Sequence, residues 1–344
     1  MKYFFLILII KNIFFATAYS QQSGRVYEFL SLPQNAKIAA LGGLAAPDVY
    51  MDPGMTSLYS SLLSPEMNNH VQLNFSDHVS DITFGNVSYI RDYERFGTFS
   101  ATLNYIHYGK FKETDQFGWI IGEFSPMEMS FDVAWGKQLS DNIRIGSRIK
   151  YINSSYYIYN SSGLAADVSM SYINPEHNLV LAALIRNAGR QVTYFNEESE
   201  PLPFDIILGV SKKLNNAPIR FSVVANNLHK YNLRFKEQEP EFANITDEEN
   251  DTSMHWFTSV GDNVLRHLTI GMELMPFESF SFRLGYNYKR RQELGVADRM
   301  SSVGLSWGIG LKISKFEFHY GRSHYHLAGS QNHISIATYI DQLF

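Results

Sequence analysis

The sequence predicts an all-β chain, an antiparallel transmembrane β-barrel of about 14 strands with an N-terminal hatch or plug segment. Three observations carry that prediction. Strand-like stretches alternate bulky apolar residues with small or polar ones, the lengths of the connections alternate, and composition leaves no room for a helical membrane protein. The alternation is plainest from Ser302 to Gly321, where Val303, Leu305, Trp307, Ile309 and Leu311 share one face and Ser302, Gly304, Ser306, Gly308 and Gly310 the other. After a turn at Ile313 and Ser314, Phe316, Phe318 and Tyr320 continue the apolar face, opposite Glu317 and His319. A soluble sandwich needs its large residues inside. This hairpin needs an apolar solvent outside, and lipid supplies one.

Composition agrees. Aromatic residues make up 15% of the 344 while the mean hydropathy is only −0.18, as expected where lumen positions offset lipid positions. Beyond the N-terminus no stretch approaches the roughly 20 apolar residues of a helical span. The net charge of −5 is spread along the chain, which excludes a nucleic-acid partner.

Residues 1–20 read as a secretory signal peptide: Lys2, apolar runs at Phe4 to Ile10 and Ile13 to Ala16, then Ala18-Tyr19-Ser20. The chain has no Cys, so a lipid-anchoring Cys, disulfides and thiolate metal sites are excluded together. Residues 21–69 show no two-residue alternation and break at Gly42-Gly43 and Pro53-Gly54; we read them as a hatch, because irregular backbone at membrane depth must be surrounded by protein.

Residues 70–344 form the barrel. Val71, Leu73 and Phe75 oppose Gln72, Asn74 and Ser76, and a second strand runs from Ile82 to Ile90. Phe99, Ala101, Leu103 and Tyr105 oppose Ser100, Thr102 and Asn104; Met127, Met129, Phe131, Val133 and Trp135 oppose Glu128, Ser130 and Asp132. Ile143, Ile145, Ile149 and Tyr151 then oppose Arg144, Arg148 and Lys150, and Leu164, Val168, Met170 and Tyr172 oppose Asp167, Ser169 and Ser171. The acids and bases of neighbouring strands are positioned to pair. Leu179 to Asn187, Phe204 to Lys212, Ile219 to Asn227, Leu268 to Leu274, Phe280 to Tyr288 and Gln331 to Tyr339 complete the set. Short connections fall near Leu139 to Asp141, Asn174 to His177, Asn215 to Ala217, Pro276 to Ser279 and Ile313-Ser314. Longer ones fall between them, at Gly109 to Pro126, Ser154 to Ser162, Ala188 to Pro203, His229 to Arg266, Lys289 to Met300 and Ser323 to Ser330. Short periplasmic turns and long exterior loops follow that rule, which places the chain in the outer membrane of a Gram-negative bacterium with both termini in the periplasm.

Motifs with catalytic associations are weak in this setting. Gly304-Leu-Ser306-Trp-Gly308 matches the nucleophile-elbow pattern, but that device needs a sharp strand-to-helix turn and here lies within an alternating strand. Ser147-Arg-Ile-Lys150 and Ser140-Asp-Asn142 match two marks of penicillin-interactive serine enzymes, yet the third, K-T-G, is missing and Ser147 and Lys150 fall on opposite strand faces. His324 and His326 share a face without a third metal ligand. No catalytic residue, cofactor site or metal site is assigned. The loop carrying Glu237, Glu239, Glu241, Asp247, Glu248, Glu249 and Asp251 reads as a solvated acidic run.

Several stretches together resemble the PorQ family of type IX secretion-system barrels and the wider group of FadL-like outer-membrane barrels: FLSLPQNAKIAALGG from Phe29 to Gly43, Pro201-Leu-Pro-Phe204 with Asp205, RLGYNYKRRQEL from Arg283 to Leu294, GLKISK from Gly310 to Lys315, and Tyr325-His-Leu-Ala-Gly329. The resemblance spans the mature chain. It implies a hatch-bearing FadL-like barrel that holds a PorZ-like surface protein beside the PorU-PorV attachment complex, with lipopolysaccharide and outer-membrane lipid as neighbours. It does not imply an enzyme. Where relatives carry Asn-Pro-Ala, this chain has Tyr59-Ser60-Ser61, so hatch geometry is not carried over. The alternatives are a FadL-like channel for hydrophobic small molecules and, second, a serine enzyme acting through Ser147 or Ser306. For the anchoring role the candidate contacts are the exterior-loop residues Phe117, Trp119, Tyr194, Phe195, Tyr231, Phe235, Glu239, Phe242, Trp256, Arg290 and Arg291; Arg290, Arg291 and Glu293 suit a bracing role at the rim better than a clasp.

Overall fold

Strand β1 (His70–Asp77) pairs on one side with β2 (Thr83–Asp92) and on the other with the last strand, β16 (Gly329–Tyr339), and this pairing closes the sheet. The structure is a computed structural model that describes residues 25–78, 80–234, 260–295, 302–326 and 329–343. Among these, fourteen antiparallel strands form the barrel. After β1 and β2 come β3 (Thr98–His107), β6 (Met127–Gln138), β7 (Ile143–Tyr156), β8 (Tyr159–Asn174) and β9 (Leu179–Thr193). Next are β10 (Asp205–Lys213), β11 (Ile219–Ala225), β12 (Leu268–Phe277), β13 (Phe280–Asn287), β14 (Leu305–Ile313), β15 (Phe316–His326) and β16. A separate hairpin, β4 (Phe111–Thr114) with β5 (Ile120–Phe124), stands on the connection from β3 to β6. The signal-peptide reading and Phe235, Glu239, Phe242 and Trp256 lie outside the described residues.

The two-residue alternation holds in the register. Leu73, Phe75, Phe131, Val133, Ile149, Val168 and Leu305 are exposed on the outer wall, while Gln72, Ser76, Ser130, Asp132, Arg148, Lys150, Asp167 and Ser306 are buried on the inner one. The expected charge pairs form there: Arg148 reaches Asp132 at 3.5 Å and Lys150 reaches Asp167 at 2.8 Å.

Residues 25–69 fill the lumen, and they explain the glycines of the inner face. Asn35 caps the helix Ala36–Ala40 by accepting the Ile38 N–H at 2.9 Å, and Gly42 and Gly43, at φ 99° and 91°, end it by turning the chain back. This helix lies with Ala36 and Ala40 against Gly321 and Gly308 of the wall; a Cβ on Gly308 would sit 2.6 Å from that of Ala40. A Cβ on Gly285 would collide with the backbone of Leu41 and Gly42. The inner face is therefore small because hatch backbone docks on it directly. Hydrogen bonds fix the register: Ser335 Oγ accepts the Ala36 N–H at 2.9 Å, and Ser323 Oγ donates to Ala39 O at 3.0 Å. Further on, Tyr59-Ser60-Ser61 packs against β6 to β8, where Ser169 Oγ accepts the Ser61 N–H and Arg144 donates to Ser61 O and Leu63 O at 3.1 and 2.7 Å.

Two expectations need correction. The interior is not lined by small and ionisable groups alone: Ile173, Val180, Leu184, Ile207 and Val224 point inward and join Ile38, Leu41, Met55, Leu58 and Leu62 of the hatch in one apolar core. A filled lumen has a dry interior, so apolar inward residues gain burial rather than exposure. The connection expected at Ser154 to Ser162 is mostly strand, because β7 and β8 continue to a two-residue turn at Tyr157 and Ile158, with Tyr157 at φ 56°. The ends of the described chain, residues 25 and 343, lie at opposite rims. Arg25 sits beside Lys289 and Arg290 at the rim of the long connections, whereas Leu343 follows β16 at the rim of the short turns. An even strand number fixes where β1 begins and β16 ends, but the hatch crosses the lumen before β1 starts.

Candidate functional site at the long-connection rim

Hatch, loops and strand ends meet at the long-connection rim and leave two cavities there. Tyr27, at φ 58°, opens the turn Glu28–Ser31, and Val26 donates its N–H to Pro201 O at 3.2 Å, which ties the hatch to the loop between β9 and β10. The Tyr27 hydroxyl bonds Ser161 Oγ, which also receives Gln191 Nε2 at 3.0 Å. These contacts hold Val26 and Tyr27 as part of one wall of the larger cavity.

That cavity measures about 550 Å³ and is walled by Tyr108, Tyr156, Tyr159, Phe195, Tyr27 and Val26, with Arg25, Glu28, Glu128, Asn196 and Glu200 at its polar edge. The rings support one another: Tyr108 and Tyr156 lie 5.7 Å apart between centroids, and Tyr156 meets Phe195 edge-on at 5.4 Å. Tyr108 donates its hydroxyl to Glu128 Oε2 at 2.6 Å, and Ser154 donates to Glu128 Oε1 at 2.8 Å. Burial and then the Glu128 carboxylate push the Tyr108 pKa up, so its phenol stays neutral.

The smaller cavity, about 260 Å³, shares Arg25 and Glu28 with the first and is polar. It is built where β9 bulges. Register shifts between Ala166 and Val168, and Asn187 at φ 55° gives its N–H to Asp167 Oδ1 at 2.7 Å and its side-chain amide to Pro203 O at 3.0 Å. The bulge leaves Arg186 beside Asp205. On the opposite side Asn287 caps the helix Tyr288–Leu294 by accepting the Arg290 N–H at 2.9 Å. Arg290 stacks 3.7 Å above the Tyr325 ring, donates to the Tyr325 hydroxyl at 2.8 Å and reaches Gly42 O at 3.4 Å. Gly43 permits this approach, since a Cβ there would stand 2.8 Å from Arg290 Nη2. Arg290 thus braces the hatch. Arg291 follows it on the same helix, its carbonyl accepting the Gly295 N–H at 3.1 Å.

The other sequence-selected residues disperse. Phe195 joins the aromatic cavity, and Tyr194 stays exposed beside it. Phe117 and Trp119 are exposed on the β4–β5 hairpin, and Tyr231, 86% exposed, offers its carbonyl to Asn263 at 2.6 Å. Sequence reasoning missed Tyr27, Tyr108, Tyr156, Tyr159, Arg25, Arg186 and Lys289. A tyrosine at a barrel rim has the same signature as a girdle residue, and Arg25 and Arg290 are 265 positions apart. The serine motifs are not assembled: Ser147 lies on the outward face and Lys150 on the inward one, while Ser306 is buried against the hatch without a hydrogen-bond partner. Among the described residues no three His, Asp or Glu side chains gather as a metal site.

No family model matches the chain, and no curated protein matches it. Solved structures do. The chain is similar to the crystal structure of the Pseudomonas putida toluene transporter TodX, at 11% identity and a TM-score of 0.51, covering 89% of this chain and 96% of that one. The deltaS2 mutant of the TodX monoaromatic hydrocarbon channel gives the same identity and score over 89% and 97%. A Pseudomonas aeruginosa FadL homologue follows at 10% identity, a TM-score of 0.46, and 89% and 98% coverage. The TodX likeness bears on the fold alone, and it agrees with the closed fourteen-stranded antiparallel barrel described above.

Proposed function

We propose that this chain is an outer-membrane channel for small hydrophobic molecules, with the long-connection rim facing the exterior and the aromatic cavity as its entry site. The observation that carries this reading is the cavity itself: about 550 Å³ at the mouth of the barrel, with five aromatic rings among its lining residues beside charged and amide groups, and with the first turn of the hatch as part of its lining. The toluene transport named for TodX, whose fold this chain shares, supports it. A single ring burying ~150 Å² at ~25 cal/mol/Å² gains about 4 kcal/mol, a dissociation constant of about 1 mM. Binding that weak suits passage, because a molecule that enters must also leave. The hatch closes the lumen beneath the cavity, so onward movement requires the hatch to shift. The test is uptake of radiolabelled toluene by cells carrying the protein, its Phe195→Ala and Tyr156→Ala variants, or none. Uptake that rises with the protein and falls in both variants supports the channel; uptake equal in all four strains refutes it.

A second reading, that the barrel holds a PorZ-like surface protein next to a PorU-PorV attachment complex, is favoured by a different feature. Strands β7, β8 and β9 have 14, 16 and 15 residues, where about 9–11 tilted residues span a membrane. Their excess, with the β4–β5 hairpin, raises a crest that exposes Phe117, Trp119, Ile120, Ile121 and Ile158 to water. Phe111 stacks on Phe124 with centroids 5.5 Å apart, and Phe124 meets Tyr157 of the β7–β8 turn in a tilted contact at 5.1 Å. Under this reading Trp119→Ser with Ile121→Ser abolishes co-purification of the surface protein and leaves toluene uptake intact. Co-purification unaffected by those changes refutes it.

A further inference from the structure

We propose that the outer wall of β12 to β15 holds a molecule of lipid A, the phosphorylated and acylated anchor of lipopolysaccharide, with acyl chains in a groove on β12 to β14 and a phosphate group against Arg322 and His324. The choice of lipid rests on the orientation adopted above, with the long-connection rim outside, because the outer leaflet of the outer membrane is built of lipopolysaccharide. The groove measures about 370 Å³ and has Ile270, Phe282, Leu284, Leu305 and Trp307 among its walls, with Ser302 and His324 also bordering it. Register explains why it is apolar across three strands. Ile270, Tyr286 and Leu305 form one cross-strand row of outward residues, and Met272, Leu284 and Trp307 form the next. Neighbouring strands stand about 4.8 Å apart, so each row is about 10 Å across, wider than one acyl chain.

The second row does not stay apolar. It passes from Trp307 to Arg322 on β15 and from there to Asn332 on β16. Arg322 Nη2 donates to Ser330 Oγ at 3.4 Å, and the same hydroxyl lies 3.0 Å from Nδ1 of His324. One oxygen atom therefore touches both side chains, which puts guanidinium and imidazole within reach of one ligand. With a lone pair taken by Arg322, the hydroxyl gives its proton to Nδ1, and Nε2–H of His324 is left as a donor. Tyr320 donates its hydroxyl to Asn332 Oδ1 at 2.8 Å, so β15 and β16 turn polar here while β13 and β14 stay apolar beside them. Among the described residues Arg322 forms no ion pair, although Lys312, near the short-turn end of the same two strands, meets Glu317 at 3.1 Å. A cation on a lipid-facing wall without a counter-ion is costly, and a headgroup phosphate both neutralises it and fits the guanidinium fork.

The experiment measures, by native mass spectrometry, binding of lipid A, of lipid A stripped of its phosphates and of phosphatidylglycerol to the full chain in dodecyl maltoside micelles. It compares the wild type with Arg322→Gln, His324→Gln, Leu284→Ala with Leu305→Ala, and Lys312→Gln. The wild type should bind lipid A about tenfold tighter than its dephosphorylated form and about tenfold tighter than phosphatidylglycerol. Arg322→Gln brings lipid A and its dephosphorylated form to within about threefold of each other, His324→Gln weakens lipid A about threefold, and the double groove variant weakens both forms alike, by about fivefold. Lys312→Gln, at the short-turn rim, changes none of these. Wild-type binding that ignores the phosphates overturns the proposal, and so does lipid A affinity unchanged in Arg322→Gln. Phosphatidylglycerol bound as tightly as lipid A overturns it too, since Arg322 would then be an interfacial cation meeting any anionic headgroup. Should a variant misfold, the comparison of the two lipid A forms on the wild type still decides. Cells that show no toluene uptake while their purified protein binds lipid A in this way remove the channel and leave the lipid site.

Discussion

Replacing Lys37 with Met should open the hatch. Lys37 Nζ lies 2.6 Å from Asp52, 3.1 Å from Asp48 and 3.9 Å from Glu273, with its side chain 5% exposed, so one hatch cation ties two hatch carboxylates to a wall carboxylate. Removing one member of a buried ion pair costs about 3–5 kcal/mol. Here the lower figure applies, because Arg220 at 3.8 Å still neutralises Asp48 and Arg283 still holds Glu273, leaving Asp52 as the stranded charge. At ~1.4 kcal/mol per tenfold, about 3 kcal/mol raises the ratio of open to closed hatch roughly a hundredfold. Planar-bilayer conductance reads this directly: Lys37→Met should show openings that the wild type lacks, and Lys37→Arg should restore closure. Identical conductance in Lys37→Met and wild type would refute the argument.

Two further changes probe other contacts. Gly285→Val places a side chain into the backbone of Leu41 and Gly42 and should destabilise the docked hatch by about 3 kcal/mol or more, whereas Gly261→Ala, with nothing within 4 Å, should stay within about 0.5 kcal/mol; thermal unfolding separates them. At the long-connection rim Asp262 accepts Arg266 Nε at 2.8 Å and the Tyr288 hydroxyl at 2.9 Å. Burial nudges its pKa up, but these bonds hold it below the usual value, so its clamp on residues 260–266 is complete above ~3.9 and lost as pH falls through the depressed value. Hydrogen exchange of those amides should accelerate on acidification in the wild type and lose that dependence in Asp262→Asn.

Much of the barrel was legible because lipid imposes one rule on every outward position. Leu305, Trp307 and Leu311 obey it, and so do Val133 and Phe131 on strands far away. The rule stops where lipid stops. Ser154 to Ser162 was read as a loop because its alternation lapses, yet above the membrane a strand has no need to be apolar on either face, and Ser154 pairs with Ser161 in an unbroken ladder. The hatch was legible as irregular sequence, but its docking was not. That Gly308 and Gly285 exist for Ala40 and Leu41 depends on contacts more than 200 residues apart. The rim site suffered the same limit. Arg290 stood out as a rim residue, but its neighbours Arg25 and Arg186 come from the hatch and from a bulge in β9, and neither position carries a local signal of its fate.

The central claim is that the bulky residues of each strand face lipid while their small alternates face the hatch. It is tested most directly by a single-tryptophan protein that keeps Trp307 and carries Phe at positions 119, 135 and 256, reconstituted in bilayers whose acyl chains bear bromine. Strong bromine quenching of Trp307, with emission insensitive to aqueous iodide, is the predicted result. Emission untouched by bromine would put Trp307 inside protein and contradict the barrel's orientation of faces.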